Sequence, residues 1–288
     1  EVQAFINGYQ DWMRAQGPLE VEKPEDFSRY QSGAFVSGPI IKDKLFFAAS
    51  YERNDEVEPV AFAIPDDPEF QQYDRLINND VGYTLWSAKL TAQINSANTL
   101  DLSWFARRDD HDVVLPGANT AQYGWTQDQV TDIVSARLRT SSGGRISNEL
   151  IASYRFNQWL TTSLSDDPLF LHSNFGFFEG PLNLLWPLEQ LESQYNVTNN
   201  FRIVTNDHII KIGGSYEYRD LRYDWPLLSQ PFIITAEPGA PLLGQIGLGR
   251  TDQTTTSDAF TEIPAHILSF FVQDDWEISP RLLVSFGL

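Results

Sequence analysis

The chain has 288 residues, with 20 Lys and Arg against 39 Asp and Glu for a formal charge of −19, and it contains no cysteine, one Met, 8 Trp, 11 Tyr and 19 Phe. The lack of thiols excludes a disulfide scaffold, a Cys-based zinc site and a thiol nucleophile, and the acid excess opposes binding to a nucleic-acid phosphate backbone. Aromatics at 13% and hydrophobics at 42% are too many for a disordered acidic chain.

The longest unbroken apolar run, Leu45-Phe46-Phe47-Ala48-Ala49, is far short of the roughly 18 residues a membrane-spanning helix needs. Strands are the remaining way across a bilayer. Residues 1–26, with Trp12, Met13 and Pro24, read as an external loop. Lys42-Asp43-Lys44 then joins predicted strands near 28–41 and 44–56. The clearest alternation follows: Thr84, Trp86, Ala88, Leu90, Ala92 and Ile94 share one face, and Ser87, Lys89, Thr91 and Gln93 the other. After Asn95-Ser96-Ala97 the pattern resumes, with Leu100, Leu102, Trp104 and Ala106 opposed to Thr99, Asp101, Ser103 and Arg107, which defines a hairpin. Ser142-Gly143-Gly144 joins strands near 130–141 and 145–158, Asn206-Asp207 joins 194–205 to 208–223, and Ser279-Pro280 joins 265–278 to a last strand. Five tight turns, built on Gly, Asn, Asp, Ser or Pro, imply ten strands.

Long connections near 57–81, 111–129, 159–193 and 224–264 alternate with these tight turns. That regular parity is unlike a Greek-key sandwich and matches an outer-membrane barrel, with short periplasmic turns and long external loops. Tyr51, Trp104, Tyr154, Tyr218 and Trp225 are expected at the long-loop ends of their strands, and Phe35, Phe47, Trp276 and Phe286 at the short-turn ends, as two interfacial girdles. The predicted fold class is all-β, an antiparallel transmembrane β-barrel, with residues 1–288 forming one partial barrel domain. Glu1 at the start and the alternating pattern still running at Leu283 to Leu288 read as a piece cut from a longer chain.

The segment from Val36 to Glu52, VSGPIIKDKLFFAASYE, closely resembles an early barrel hairpin of TonB-dependent outer-membrane receptors, in particular their Oar-like branch. Phe270 to Leu282, FFVQDDWEISPRL, is similar to a later hairpin of the same branch. The resemblance implies a plugged barrel of 22 strands in the outer membrane, with a plug, a TonB-contacting box and further strands outside this segment. It implies energy-coupled uptake of a scarce solute, whether an iron chelate, a cobalamin, an oligosaccharide or a peptide, with the TonB complex acting through the plug and outer-membrane lipid around the wall. A passive porin and a soluble, extracellular β-rich glycan-binding protein are the alternative readings.

Barrel parity predicts that Arg107, Arg137, Arg139, Arg155, Arg202, Lys211, Glu217 and Arg219 face the lumen, with Asp101 and Glu149 among them, where they would contact a plug, line a solute path or simply keep a wet wall polar. Trp125, Phe177, Phe178, Trp186 and Trp225 are the loop aromatics placed to stack on a ligand or to pack loop against loop. Four Asp-Asp pairs, Asp66-Asp67, Asp109-Asp110, Asp166-Asp167 and Asp274-Asp275, read as solvated acids, because neighbours on a strand point to opposite faces. Asp109-Asp110-His111-Asp112 lacks the Gly and distal Glu of a calcium loop. His111, His172, His208 and His266 show no zinc spacing, and no nucleophile elbow or phosphate loop occurs, so neither enzyme activity nor a cofactor or metal is expected.

Overall fold

The computed structural model describes residues 27–73, 76–165, 167–182, 188–224, 232–235, 242–246 and 260–288. The expectations for residues 1–26, Asp166, Trp186 and Trp225 lie outside these described residues. Ten strands form one antiparallel sheet: β1 (Ser28–Ile41), β2 (Leu45–Ala61), β3 (Leu76–Asn95), β4 (Asn98–Val114), β5 (Gly124–Ser142), β6 (Ile146–Ser163), β9 (Leu188–Val204), β10 (His208–Asp224), β13 (Phe260–Ser279) and β14 (Leu282–Gly287). Each strand pairs with the next in that order, an up-and-down meander whose first and last strands have one neighbour each. Four short strands, β7 (Leu169–His172), β8 (Phe177–Glu179), β11 (Phe232–Thr235) and β12 (Leu242–Ile246), form a second sheet from two of the long connections. Among the described residues no helix is long and apolar enough to cross a membrane.

All five predicted turns are present, each with turn chemistry to match. Gly143 and Gly144 have φ of 59° and 68°, the paired left-handed conformations of a two-residue hairpin turn, and Asp43 takes φ 59° between β1 and β2. At Gly213 the reason is space: a Cβ there would lie 2.2 Å from the ring of Phe271, which crosses from β13 over the glycine of β10.

Cross-strand register resolves the two faces. One apolar row runs through Phe47, Leu90, Leu102, Ala136, Ala152, Val197, Tyr216 and Leu268, each the register partner of the next. The row beside it carries Trp104, Tyr154, Tyr195, Tyr218 and His266. Its rings touch: Tyr154 and Tyr195 centroids are 4.8 Å apart, and Tyr218 and His266 are 4.9 Å apart. Tyr51 and Trp86 continue the band at 6.1 Å. At the short turns Trp276 stacks on His208 at 5.5 Å on the same face. From His266 to Trp276 the strand covers about 33 Å, or about 23 Å of membrane at a tilt of ~45°, against the ~25 Å apolar band of such barrels.

The register corrects the expected place of the outer girdle. Tyr51, Trp104, Tyr154 and Tyr218 lie mid-strand, because β2 runs on to Ala61, β4 to Val114 and β6 to Ser163. Phe35 is on the opposite face from Phe47, since its partner is Ser50 whereas Phe47 meets Leu90. The strands are 14 to 20 residues long apart from β14, nearly twice the roughly ten a bilayer needs. Their loop-side halves are polar on both faces, as at Asp55 beside Glu56 or Asp109 beside Asp110, so the apolar alternation ends there while the hydrogen-bonded ladder continues.

Candidate solute pathway and loop cap

The predicted lumen charges all fall on one face of the sheet, opposite the apolar rows. Arg137 pairs in register with Asp101, Arg139 with Glu149, Arg202 with Lys211, and Arg155 with Gln194, which in turn meets Arg219. Most are neutralised by neighbours. Asp101, 6% exposed, accepts Arg139 Nη2 at 2.8 Å and Thr91 Oγ1 at 2.6 Å, with Lys89 Nζ at 3.3 Å. Lys211 reaches Asp275 at 2.9 Å, Arg137 lies 3.5 Å from Glu149, and Arg219 lies 2.8 Å from Glu217 and 3.3 Å from Glu192. Among the described residues Arg155 and Arg202 have no ion-pair partner. Near the short turns this face is hollowed into a concavity of about 750 Å³, bordered by Thr99, Arg139, Glu149, Asn200, Arg202, Lys211 and Phe271.

The wall is electrically polarised along the strands. Between the short turns and the register row of Arg155, Gln194 and Arg219 it carries Lys89, Arg137, Arg139, Arg155, Arg202, Lys211 and Arg219 against Asp101, Glu149, Glu217, Asp275 and Glu277. Beyond that row, toward the long connections, it carries Glu52, Glu56, Glu58, Asp109 and Glu192 against Arg29 and Arg107. Both of those arginines are already engaged: Arg107 Nε donates to both oxygens of Asp109 at 2.8 and 2.9 Å, and Arg29 Nε donates to Asn54 at 2.7 Å with Glu56 at 3.5 Å. The Arg107 guanidinium also lies 4.7 Å over the Tyr83 ring. Burial, together with the adjacent Glu56 charge, holds the Glu58 carboxyl above the usual carboxylate range. The sequence reading missed this acidic half, since its carboxylates lie where alternation had faded.

On the other face, just above the aromatic band, Arg53 and Arg108 sit in one register row with Thr84 between them, and Arg108 Nη2 meets Asp132 at 2.6 Å. The next row places Asp110 directly opposite Asp128. Burial, then the charges of Asp110 and Asp112, raise the Asp128 carboxyl from its ordinary value. A folded-state value above the unfolded one means that folding takes up protons, so this repulsion weighs fully at neutral pH and is relieved as the pH falls through the folded-state value. Asp128→Asn is therefore expected to stabilise the loop-side halves of β4 and β5 by about 0.5 kcal/mol at neutral pH. The difference should vanish below about pH 4, as read from thermal melts of the full-length protein across pH.

The long connections fold into a cap with its own core. Val60, Phe62, Ile64, Phe70, Val114 and Phe177 are buried together, with Tyr73, Ile77, Ala121 and Leu164 packed against them. Phe70 contacts Phe177 at 4.8 Å, Phe175 at 5.2 Å and His172 at 5.1 Å between ring centroids. A polar hub ties three connections: Tyr73 donates to Glu179 at 2.5 Å, His172 Nε2 meets the other Glu179 oxygen at 2.7 Å, and His172 Nδ1 meets Thr235 Oγ1 at 3.0 Å. Burial, reinforced by Glu179, pushes the Tyr73 hydroxyl well above its usual value. β7 and β11 pair in parallel between the β6–β9 and β10–β13 connections, and Thr120 N bonds Phe178 O at 3.0 Å between the β4–β5 connection and the same β6–β9 connection.

This geometry sorts the loop aromatics. Phe177 is 0% exposed at the centre of the cap, so it packs loop on loop and has no face open to a ligand. Phe178 stacks on Tyr123 at 5.2 Å, and Trp125 sits within β5 opposite Val113 and Ser163. Asp109 and His111 turn to one face of β4 and Asp110 and Asp112 to the other, so these four do not converge. No group able to hold a metal ion occurs among the described residues.

An antiparallel meander with one lipid-length apolar face, ringed by aromatics at both edges, defines an outer-membrane β-barrel wall. Residues 85–288 match the family model described as outer membrane beta barrel domain, and the chain belongs to that family. It resides in the outer membrane. Comparison with curated proteins finds no match. Among solved structures, the chain is similar to the outer membrane transporter YddB from Escherichia coli, at TM-score 0.65 and 11% identity over 91% of this chain and 33% of that one. It is also similar to the siderophore receptor PiuA from Acinetobacter baumannii, at TM-score 0.52 and 10% identity over 90% of this chain and 42% of that one. The chain thus spans between a third and a half of the length of these relatives, and at such identities the likeness is one of fold.

Proposed function

We propose that this chain is wall and external loop of a TonB-dependent outer-membrane transporter, whose full-length barrel of 22 strands is filled by a plug and imports a scarce solute when the TonB complex acts on that plug. The observation that carries this reading is the set of large apolar side chains on the polar face. Phe35 is 71% exposed there, and Phe46, Phe105, Ile267 and Phe271 are exposed as well; register puts them in rows with Ser50, Asp101, Ser103 and Arg139. A water-filled pore would leave this surface wet at a cost of about 25 cal/mol per Å², whereas a folded plug covers it and offers carboxylates to Arg155 and Arg202. The same surface argues against the passive porin, and the exposed apolar row on the other face argues against a soluble glycan-binding protein.

The full-length protein in a planar bilayer is expected to show no steady ionic conductance until the plug is unfolded by urea, and solute uptake is expected to cease in cells lacking TonB. A steady open conductance with TonB-independent uptake would establish the passive channel instead.

A further inference from the structure

We infer that the loop-side half of the polar wall is a binding surface for a peptide of net positive charge, which names the solute class of the transporter proposed above and rests on that reading. The carboxylates Glu52, Glu56, Glu58, Asp109 and Glu192 share the polar face beyond the row of Arg155, Gln194 and Arg219, and the cations against them are already paired, Arg29 with Glu56, Arg107 with Asp109 and Arg219 with Glu192. An anionic chelate entering here meets a net negative wall before it reaches Arg155, the first cation among the described residues without an ion-pair partner, and surfaces lined by one sign of charge focus the field that repels it.

A second, independent observation points to a ligand that donates hydrogen bonds. Asn79, the register partner of Glu58, is 7% exposed, and its Oδ1 has no hydrogen-bond partner. A buried acceptor left unsatisfied is costly, and a donor from outside the wall removes that cost. Tyr83, already holding one guanidinium over its ring, shows that this surface accommodates a cation on an aromatic face. Carboxylates for ammonium and guanidinium groups, an unpaired amide acceptor for backbone N–H and a cation-binding ring are the complement of a Lys- or Arg-containing peptide. A neutral oligosaccharide would use the amides and rings and leave the carboxylates without a role. The basic turn-side half of the same wall then sets a charge step along the path, which holds a cationic ligand at the outer level until the plug moves.

The test titrates the full-length receptor in detergent with three probes: a short lysine-rich peptide, its glutamate-rich counterpart and an anionic ferric tris-catecholate. Calorimetry at about 50 mM and about 500 mM salt is expected to show binding of the lysine-rich peptide alone, weakened at least about tenfold by the added salt. Glu52→Gln combined with Glu58→Gln is expected to weaken it about tenfold at low salt, with heat-modifiable gel mobility confirming that the barrel is folded. The salt comparison needs no variant and stands if the double substitution fails to fold. Tighter binding of the ferric chelate or of the acidic peptide, or salt-independent binding of a neutral oligosaccharide in their place, overturns the inference. TonB-dependent uptake of a ferric chelate would overturn it while leaving the transport reading intact, and peptide binding without TonB-dependent uptake would do the reverse.

Discussion

Leu100→Arg is expected to cost the full-length protein about 2–4 kcal/mol of folding stability in a bilayer, whereas Thr99→Arg, one residue away, should cost less than about 1 kcal/mol. Leu100 lies between Ala92 and Leu138 on the apolar face, about midway between the Trp104 row and the Trp276 row. A guanidinium there must leave water for hydrocarbon or distort the lipid around it. Thr99 points the other way, donates to Gln93 at 3.0 Å and borders the concavity of about 750 Å³, where an added Arg has both room and water. Urea titration in liposomes, followed by heat-modifiable gel mobility, measures both. Equal losses at the two positions would contradict the assignment of faces. The contrast rests on a strand period of two, so no adjustment short of a register slip brings the two results together.

Phe70→Ala is expected to destabilise the cap by about 3–5 kcal/mol, the range for truncating a buried Phe. Phe70 is 1% exposed and touches Phe177, Phe175 and His172, so its loss opens a cavity among residues from two connections at once. The ten-stranded sheet shares none of those contacts in its turn-side half. The expected outcome is therefore local: limited proteolysis from the external side should cut near 62–75 and 164–182 in the variant, while the protease-resistant barrel keeps its heat-modifiable mobility. Loss of the barrel together with the cap would mean that the two fold as one unit. Phe177→Ala should behave alike, because the two rings are 4.8 Å apart. A ligand-contact role for Phe177 would instead predict a loss of binding with the cap unchanged.

Strand order and turns were legible because both are local. Alternation over Thr84 to Ile94 and Leu100 to Ala106, and turn residues at Asp43, Ser96, Gly143, Asp207 and Pro280, depend on neighbours within a few positions. The same period puts the eight charges from Arg107 to Arg219 on one face, and register places all eight opposite the apolar rows. Where both faces of a strand are polar, as from Asp109 to Asp112, the pattern carries no signal and strand length was underestimated. The girdle was misplaced for that reason: Tyr51, Trp104, Tyr154 and Tyr218 mark the bilayer edge, and the strands do not stop there.

The cap was not legible, and its chemistry shows why. The Tyr73 to Glu179 hydrogen bond joins residues 106 positions apart, and His172 meets Thr235 across 63. No local pattern distinguishes a loop Phe that will be buried from one left at the surface, so Phe177 looked like Trp125 or Phe178. By itself the amino-acid order determined the antiparallel meander, its five reversals and which face meets lipid, because period and turn chemistry are short-range properties of the chain. Only the tertiary structure decided how far the strands rise beyond the membrane, which loop aromatics become core, and that the polar wall is acidic outside and basic within. Those features arise when side chains distant in sequence share one register row or one buried cluster, and burial and electrostatics act across space.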